Sequence, residues 1–258
     1  GIYANGTGYG GVYPYFGANY FMNIEREMAF EYYESNNQIA LAFDCGLQIA
    51  GGYSRAHDQK SLAIRLRDEY GLSEVVYPFF DSGTSTFQHL FIRNGGQDGL
   101  ITMMRDSFIQ NCATELGTVD CKRGEPVVVY INGQYWGLYN LRDKLNADYF
   151  RTKYGYSDDV EINIITEYSA AKSGSDEDWL DLKYFCQSTD FSIDENYYKL
   201  AERVDVDAFI DYVIIQTFFG NADTHNINFW KAEVEGSKWR PILYDLDLSI
   251  FDLGYSMV

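Results

Sequence analysis

Four side chains with oxygen donors lie at the two ends of a single stretch of the sequence. Asp223 and Asn226 precede an alternating apolar run, and Asp245 and Asp247 follow a second run after a turn at Glu235-Gly236. This pattern predicts a β-hairpin, which folds the chain back and brings the four side chains to one place. Carboxylates gathered in this way repel each other unless a cation lies between them. Oxygen ligands suit Mg²⁺, Mn²⁺ or Ca²⁺ rather than zinc.

The spacing D-x-x-N, hairpin, D-x-D is typical of a phosphoryl-transfer site. Such a site uses one aspartate at the acceptor hydroxyl, and an asparagine and a second aspartate on the metal ions that hold the nucleotide phosphates. A D-x-D pair alone has a simpler interpretation, in which the carboxylates are solvated and only decorate the hairpin ends. The combined pattern favours the chemical interpretation.

A lysine follows a glycine pair in the N-terminal half of the chain. Gly51-Gly52 permits unusual backbone angles and the close approach of a ligand. Lys60 is in phase with the apolar positions Leu62, Ile64 and Leu66 of a predicted strand, so its side chain is expected to point inward. A buried ammonium is costly without a partner, and a phosphate would supply one. The alternative is a lysine at the first strand position whose ammonium reaches solvent.

Two predicted helices have to position these groups. Residues 98–116 repeat apolar side chains every four positions and end at Gly117, and this helix offers Asp106 or Glu115 as a carboxylate partner for the lysine. Residues 206–219 form a second helix, capped by Asp205 and ended by Gly220, which leads directly to Asp223. Its many apolar residues predict that it is mostly buried.

The remaining elements predict a mixed α+β chain that is rich in strands at first and mostly helical later. Strands are predicted at 25–34, 38–46 (with a break at Gly46), 86–93 and 161–165, and a hairpin at 126–139 with its turn at Asn132-Gly133. Helices are predicted at 141–154, 179–187 and 195–203, and a polar loop at 169–178. We place the boundary between the two lobes at residues 140 and 141, giving lobes of 1–140 and 141–258.

Composition excludes several classes of protein. The chain has 258 residues and a formal net charge of −18, which argues against nucleic-acid binding because phosphates would be repelled. No apolar run is long enough to span a membrane. The sequence begins at Gly1 without a signal peptide, so we expect it to be a piece of a longer protein. Cys112 and Cys121 flank a turn and are candidates for a local disulfide, although buried free cysteines are common.

The quoted segments, taken together, resemble the CotH kinase family. The similarity is carried by Gly1-Ile2-Tyr3, Glu25-Arg26, the segment GGYSR with QKS, the run YINGQYWGLYNLRDK, and the stretch from DVDAFIDY through NADTHNINFW to KWRPILYDLD, which occur in this order along nearly the whole chain. The resemblance implies an atypical protein-kinase-like fold with two lobes. It also implies ATP with Mg²⁺ or Mn²⁺ as cofactors, and phosphorylation of Ser or Thr in secreted, surface or spore-coat proteins of bacteria.

The resemblance also implies roles for individual residues. Lys60 corresponds to the lysine that binds the ATP phosphates, with Gly51, Gly52, Ser54 and Arg55 in the nucleotide-binding turn. Asp223 corresponds to the catalytic aspartate, and Asn226, Asp245 and Asp247 to the metal-binding set. Kinases generally place the metal asparagine five residues after the aspartate, which would select Asn228. We favour Asn226 because it precedes Ile227 and the Phe-Trp pair, as in relatives with a short loop.

Two alternatives to protein phosphorylation stay open. A kinase fold can bind nucleotide in another orientation and transfer AMP, or activate a carboxylate for glutamylation. A non-catalytic extracellular module that binds calcium, carbohydrate or a protein is the third hypothesis, favoured by the acidic and Tyr-rich composition. Relatives continue into further helices beyond the D-L-D-L segment, so we expect a C-terminal part to be missing from this sequence.

Overall fold

The computed structural model describes residues 11–81, 85–166, 170–223 and 226–250. The chain forms two compact units, one made of Gly1–Met103 with Gly124–Lys144 and the other of Met104–Arg123 with Leu145–Val258. The described parts are a mixture of strands and five α-helices, so the predicted α+β class is confirmed. Parts of the predicted features lie outside the described residues, namely Gly1-Ile2-Tyr3 of the resemblance, the first residue of the predicted loop 169–178, Thr224-His225 of the NADTHNINFW segment, and the last eight residues of the chain.

The first unit is built on a six-stranded antiparallel sheet. Its strands are β1 (Glu25–Tyr33), β2 (Ile39–Ala50), β3 (Ser61–Arg65), β6 (His89–Arg93), β8 (Gly124–Ile131) and β9 (Gln134–Asp143), and a small separate pair is formed by β4 (Val75–Val76) and β5 (Thr86–Phe87). The order in the large sheet is β1-β2-β3-β6-β9-β8. The strands alternate apolar and polar residues, so one face packs on a core that includes Ile64, Leu90, Tyr139 and Leu141.

The second unit contains a five-stranded sheet that carries the predicted acidic hairpin. Its strands are β7 (Asp120–Cys121), β10 (Ile162–Thr166), β11 (Ala170–Ser173), β12 (Asn228–Ala232) and β13 (Arg240–Leu243), in the order β11-β10-β12-β13-β7. β12 and β13 are the two arms of the hairpin, with Gly236 in the turn at a positive φ of 76°. The predicted hairpin is therefore confirmed. β7 adds to β13 in parallel, a pairing that local sequence does not indicate.

The described residues of this unit also form five helices: α1 (Arg105–Leu116), α2 (Ala147–Tyr154), α3 (Glu177–Ser188), α4 (Asp194–Arg203) and α5 (Val206–Phe218). Asp205 caps α5 as predicted, because its side chain accepts a hydrogen bond from the Ala208 N–H. α1 and α5 share a core that includes Ile109, Ile215 and Leu246. Leu246 belongs to the D-L-D segment, so this core anchors the loop that follows the hairpin.

Several predicted elements differ from the structure. β2 continues past Gly46, because antiparallel pairing with both β1 and β3 supports the strand there. The helix predicted from residue 98 begins only at Arg105, after a 3₁₀ turn at Gly96–Leu100. The polar segment 169–178 contributes strand β11 to the sheet edge rather than being only a loop.

The prediction that α5 is mostly buried is wrong. Ile210, Val213 and Ile214 are more than half exposed, and Phe218 is 80% exposed. Ala208, Tyr212, Ile215 and Gln216 form the buried face instead. Apolar composition all round a helix does not specify which face a neighbour covers, and only one face is covered by the described residues.

The four cysteines are free thiols, so the alternative of a Cys112–Cys121 disulfide is not realised. The Cys121 sulfur lies 3.2 Å from the Thr114 hydroxyl oxygen. Among the residues that the structure describes, none of the helices is both long and apolar enough to cross a membrane.

Candidate active site

Asn221 fixes the chain where it leaves α5 and approaches the hairpin. This residue is almost completely buried. Its amide nitrogen donates to the Gln216 side-chain oxygen (2.8 Å) and to the Asp223 carbonyl (3.4 Å), and its amide oxygen accepts from the Asp223 N–H (3.2 Å). Asn221 therefore sets the backbone of Asp223. No local pattern singles out Asn221, since an asparagine after a helix-ending glycine is common.

Asn226 brings the two ends of the stretch together. Its side-chain nitrogen donates to Asp223 Oδ2 and to Asp245 Oδ2, each over 2.8 Å. The Oδ2 atoms of Asp223 and Asp245 are therefore separated by at most the sum of these two hydrogen-bond lengths. This is the convergence that the hairpin pattern predicts for Asp223, Asn226 and Asp245.

The loop that carries Asp245 is held in an uncommon conformation. Asp245 has a φ of 59°, in the left-handed region that aspartate tolerates better than most side chains. The next N–H, that of Leu246, donates to Asp106 Oδ1 over 2.8 Å. Asp106 lies in the first turn of α1 and also accepts from Gln110 over 2.8 Å. Asp106, one of the two candidate partners of the lysine together with Glu115, thus anchors the D-L-D segment.

Asp247, the second carboxylate of the D-L-D segment, is only 1% exposed. Backbone hydrogen bonds hold the segment against the end of α5: the Ala222 N–H donates to the Leu248 carbonyl (3.4 Å), and the Ile250 N–H donates to the Phe219 carbonyl (2.8 Å). The loops before and after the hairpin therefore form one hydrogen-bonded structure.

Asn228, the alternative metal ligand, begins β12 and is 7% exposed. Among the residues that the structure describes, none is a hydrogen-bond partner of its side-chain oxygen. A buried amide oxygen without a partner is costly, and a cation would satisfy it. The structure thus brings Asn226 to both carboxylates, and leaves in Asn228 a second amide oxygen suited to a metal ion.

The donor set consists of carboxylate and amide oxygens, which fits a hard divalent cation such as Mg²⁺ or Mn²⁺. Within the described ranges, no group of three or more His, Cys, Asp or Glu side chains is arranged to hold a metal ion. The oxygens that Asn226 brings together come from two aspartates, so a metal role for this set stays a prediction.

Two other aspartates hold the hairpin from the opposite end. Asp120 of β7 is fully buried and accepts hydrogen bonds from Lys153 (2.5 Å), Tyr154 (2.8 Å), Trp230 (2.8 Å) and Arg240 (3.0 Å). Burial raises the pKa of Asp120, but the charges of Lys153 and Arg240 and the hydrogen bonds from Lys153 and Trp230 outweigh it and hold the pKa below its usual value.

Asp178 at the start of α3 also binds residues of the hairpin. It accepts from Lys231 of β12 and from Trp239, each over 2.8 Å, and pairs with Arg203. Its pKa is raised by burial but lowered further by the bonds to Lys231 and Trp239, so that it lies below the usual value. These contacts fix the strands from which the site residues project.

Lys60 lies in the first unit, directly before β3, and is only 2% exposed. The inward orientation is therefore confirmed, and the alternative of an ammonium in solvent is wrong. Its nitrogen donates to the His57 carbonyl and lies 4.3 Å from the centre of the Tyr20 ring. Burial lowers the pKa of Lys60, and the neighbouring Asp58 charge partly opposes that shift.

The glycine turn before Lys60 is closely packed. Gly51 has a φ of 102°, a conformation that other residues rarely adopt, and a Cβ there would also displace the Ser54 hydroxyl, which would lie at 2.6 Å. The Arg55 Nε donates to the Gly51 carbonyl over 2.8 Å. Gly52 is exposed and precedes a 3₁₀ turn, Tyr53–Ala56, that contains Ser54 and Arg55. The roles of these four residues toward a nucleotide stay predictions.

Comparison with known proteins gives one family. The model of a family described as CotH kinase protein matches residues 47–255, which is most of the chain and includes every predicted site residue. A search of curated proteins found no match.

Proposed function

Because the chain belongs to the CotH kinase protein family, we propose that it is an ATP-dependent, Mg²⁺- or Mn²⁺-dependent transferase with a kinase-like two-lobed fold. It phosphorylates Ser or Thr hydroxyls of secreted or surface proteins. The observation that carries the proposal is the single amide, that of Asn226, to which both Asp223 and Asp245 are hydrogen-bonded. Family membership supports kinase-like function, and the carboxylate pair supports phosphate chemistry with a divalent cation.

Asp223 accepts the proton of the acceptor hydroxyl as the hydroxyl oxygen forms its bond to the γ-phosphorus. The bond from the γ-phosphorus to the bridging oxygen of ADP breaks, and ADP leaves with that electron pair. Asn221 holds the backbone of Asp223, so the carboxylate need not reorganise during the step.

Asp245 would hold the divalent cation together with Asn226 or Asn228. Asp247, in the same D-L-D segment, is assigned to the same metal-binding set. The cation neutralises charge on the phosphate oxygens when bound. Lys60 binds the nucleotide phosphates through its ammonium, and the turn at Gly51, Gly52, Ser54 and Arg55 lies directly before it in the chain. The high negative charge of the chain, −18, makes such local cations necessary for an anionic nucleotide.

The first test is transfer of label from γ-labelled ATP to a library of Ser- and Thr-containing peptides with Mn²⁺ or Mg²⁺. We expect Asp223→Asn to lower the rate by about a thousandfold or more, since it removes the proton acceptor. Glu235→Gln is the matched control, because Glu235 is an exposed carboxylate in the turn at the far end of the same hairpin. Undiminished transfer by Asp223→Asn would overturn the assignment.

Mass spectrometry of the product separates the alternatives. A phosphate adduct supports the proposal, whereas an AMP or glutamate adduct assigns the chain to another transfer reaction. If neither ATP nor ADP with Mn²⁺ raises the melting temperature, the protein is a non-catalytic binding module.

Alanine variants distinguish the two candidate metal asparagines. The variant of the true ligand requires a higher Mn²⁺ concentration for half-maximal activity, by about tenfold, while saturating Mn²⁺ restores much of the rate. The other variant keeps the original Mn²⁺ requirement. Metal binding to the protein without nucleotide, followed by isothermal titration, provides a readout that does not depend on turnover.

A further inference from the structure

The segment before the family match builds the surroundings of Lys60. The match begins at residue 47, yet the Lys60 ammonium lies 4.3 Å from the centre of the Tyr20 ring. Tyr20 is 6% exposed and lies in a 3₁₀ turn, Asn19–Phe21. The Tyr20 hydroxyl, at the far end of the side chain, donates to the Pro14 carbonyl over 3.1 Å. The ring is therefore held at both of its ends.

The same segment is also tied to the glycine turn. Arg55 Nη1 donates to the Phe21 carbonyl (3.2 Å) and to the Asn23 side-chain oxygen (3.0 Å), while its Nε donates to the Gly51 carbonyl (2.8 Å). One guanidinium therefore links the turn at Gly51 to the residues that flank Tyr20. These hydrogen bonds fix the position of the Tyr20 ring relative to the turn at Gly51.

A lysine ammonium has three N–H donors on a flexible four-carbon chain. One donor of Lys60 goes to the His57 carbonyl, and the Tyr20 ring faces the same nitrogen at 4.3 Å. A buried ammonium over a tyrosine ring is attracted by the negative face of the ring, more strongly than at an exposed site. These two contacts restrict the orientation of the Lys60 ammonium and therefore the directions from which an anion can bind it.

We propose that Tyr20 is a positioning residue for phosphotransfer, and that residues 19–23 complete the phosphate-binding element although they lie outside the family pattern. The Tyr20 ring keeps the Lys60 ammonium inside the first unit and oriented toward the nucleotide phosphates. This inference rests on the proposed function, since that function assigns Lys60 to the phosphates.

The test replaces Tyr20 by Phe and then by phenylalanines with increasing numbers of ring fluorines. The series keeps the shape of the ring while it weakens the negative ring face. The affinity for Mn²⁺-ADP, measured by isothermal titration, is expected to fall in step with the number of fluorines, by about tenfold across the series. Tyr20→Phe itself keeps the ring face and loses only the bond to Pro14, so its affinity stays within about threefold of the original protein.

The expected kinetic result is a raised KM for ATP with a smaller change in kcat, while the melting temperature stays constant across the fluorinated series. The rate at which an amine-specific reagent labels Lys60, followed by peptide mass spectrometry over a range of pH, is expected to change in the same order. An affinity that does not respond to fluorination overturns the inference, as does a loss that is already complete in Tyr20→Phe.

Lys60→Met distinguishes failure of this inference from failure of the proposed function. If Lys60→Met binds Mn²⁺-ADP as tightly as the original protein, Lys60 does not contact the phosphates and its role in the proposed function is wrong. If Lys60→Met loses binding while the fluorinated series is unchanged, the role of Lys60 stands and only that of Tyr20 is overturned.

Discussion

The two ends of the β12–β13 hairpin use aspartates in opposite ways. On the turn side of the hairpin, Asp120 and Asp178 form ion pairs with lysine and arginine side chains, which neutralise their charges. At the open end, Asp223 and Asp245 share the neutral amide of Asn226. The first pair is balanced by fixed cations of the protein. The second pair is the one to which the proposed function assigns a divalent cation.

The partners of each aspartate therefore distinguish carboxylates that stabilise the fold from those to which the proposed function assigns a role in the reaction. A buried carboxylate that already has cationic partners contributes to stability and has no capacity for another cation. Carboxylates gathered on a neutral group repel each other and gain from an added cation. The same residue type is therefore expected to give different mutant phenotypes at the two ends.

The largest expected effect is on stability at the structural end. Asp120→Asn leaves Lys153 and Arg240 without their shared carboxylate, and we expect the free energy of unfolding to fall by about 3 kcal/mol. Asp245→Asn, which removes like-charge repulsion, is expected to change it by less than about 1 kcal/mol. Urea denaturation of the two variants measures both values. Equal losses in the two variants would remove the distinction drawn between the two ends.

The next effect concerns the residue that links α1 to the site. Asp106→Asn weakens the bond to the Leu246 N–H, so Asp245 and Asp247 are held less firmly. We expect phosphotransfer to fall by about tenfold, with a higher Mn²⁺ requirement. Glu115→Gln on the same helix is the control, because Glu115 is exposed. A normal Mn²⁺ requirement in Asp106→Asn would show that the contact with Leu246 is not needed for metal binding.

The smallest effect is on the pH dependence of stability. The pKa values of Asp120 and Asp178 are lower in the folded protein than in the unfolded chain. Their contribution is thus complete above the unfolded pKa of about 4 and is lost as the pH falls through the lower folded values. Melting curves between about pH 6 and pH 2 are expected to show a steep loss below pH 4. In Asp120→Asn this loss is shallower, and an unchanged slope would contradict the assigned role of Asp120.

Part of the site could be predicted because local rules determine it. A turn glycine between two alternating runs predicts the hairpin, and the hairpin places Asp223 and Asn226 beside Asp245 whatever surrounds it. The alternation of β3 likewise predicts that Lys60 points inward. The helix cap at Asp205 depends on residues within one turn.

Other features depend on partners that are distant in sequence. Asp106 was a candidate only for the lysine, since nothing in its helix indicates that it meets Leu246. The exposed face of α5 was predicted to be buried, because apolar composition does not specify which side a neighbour covers. Asn228 stayed an alternative until burial and its unpartnered oxygen distinguished it from an ordinary strand residue.

The sequence by itself determined the hairpin, the inward lysine and the family, because each follows from short-range periodicity or from motifs in a fixed order. The packing of distant segments selects which aspartates pair with protein cations, which share an amide, and which aromatic ring lies beside Lys60. Asp120 meets Arg240, and Tyr20 meets Lys60, across long stretches of chain. Such contacts are selected by packing of the whole chain, and residue types at neighbouring positions carry no information about them.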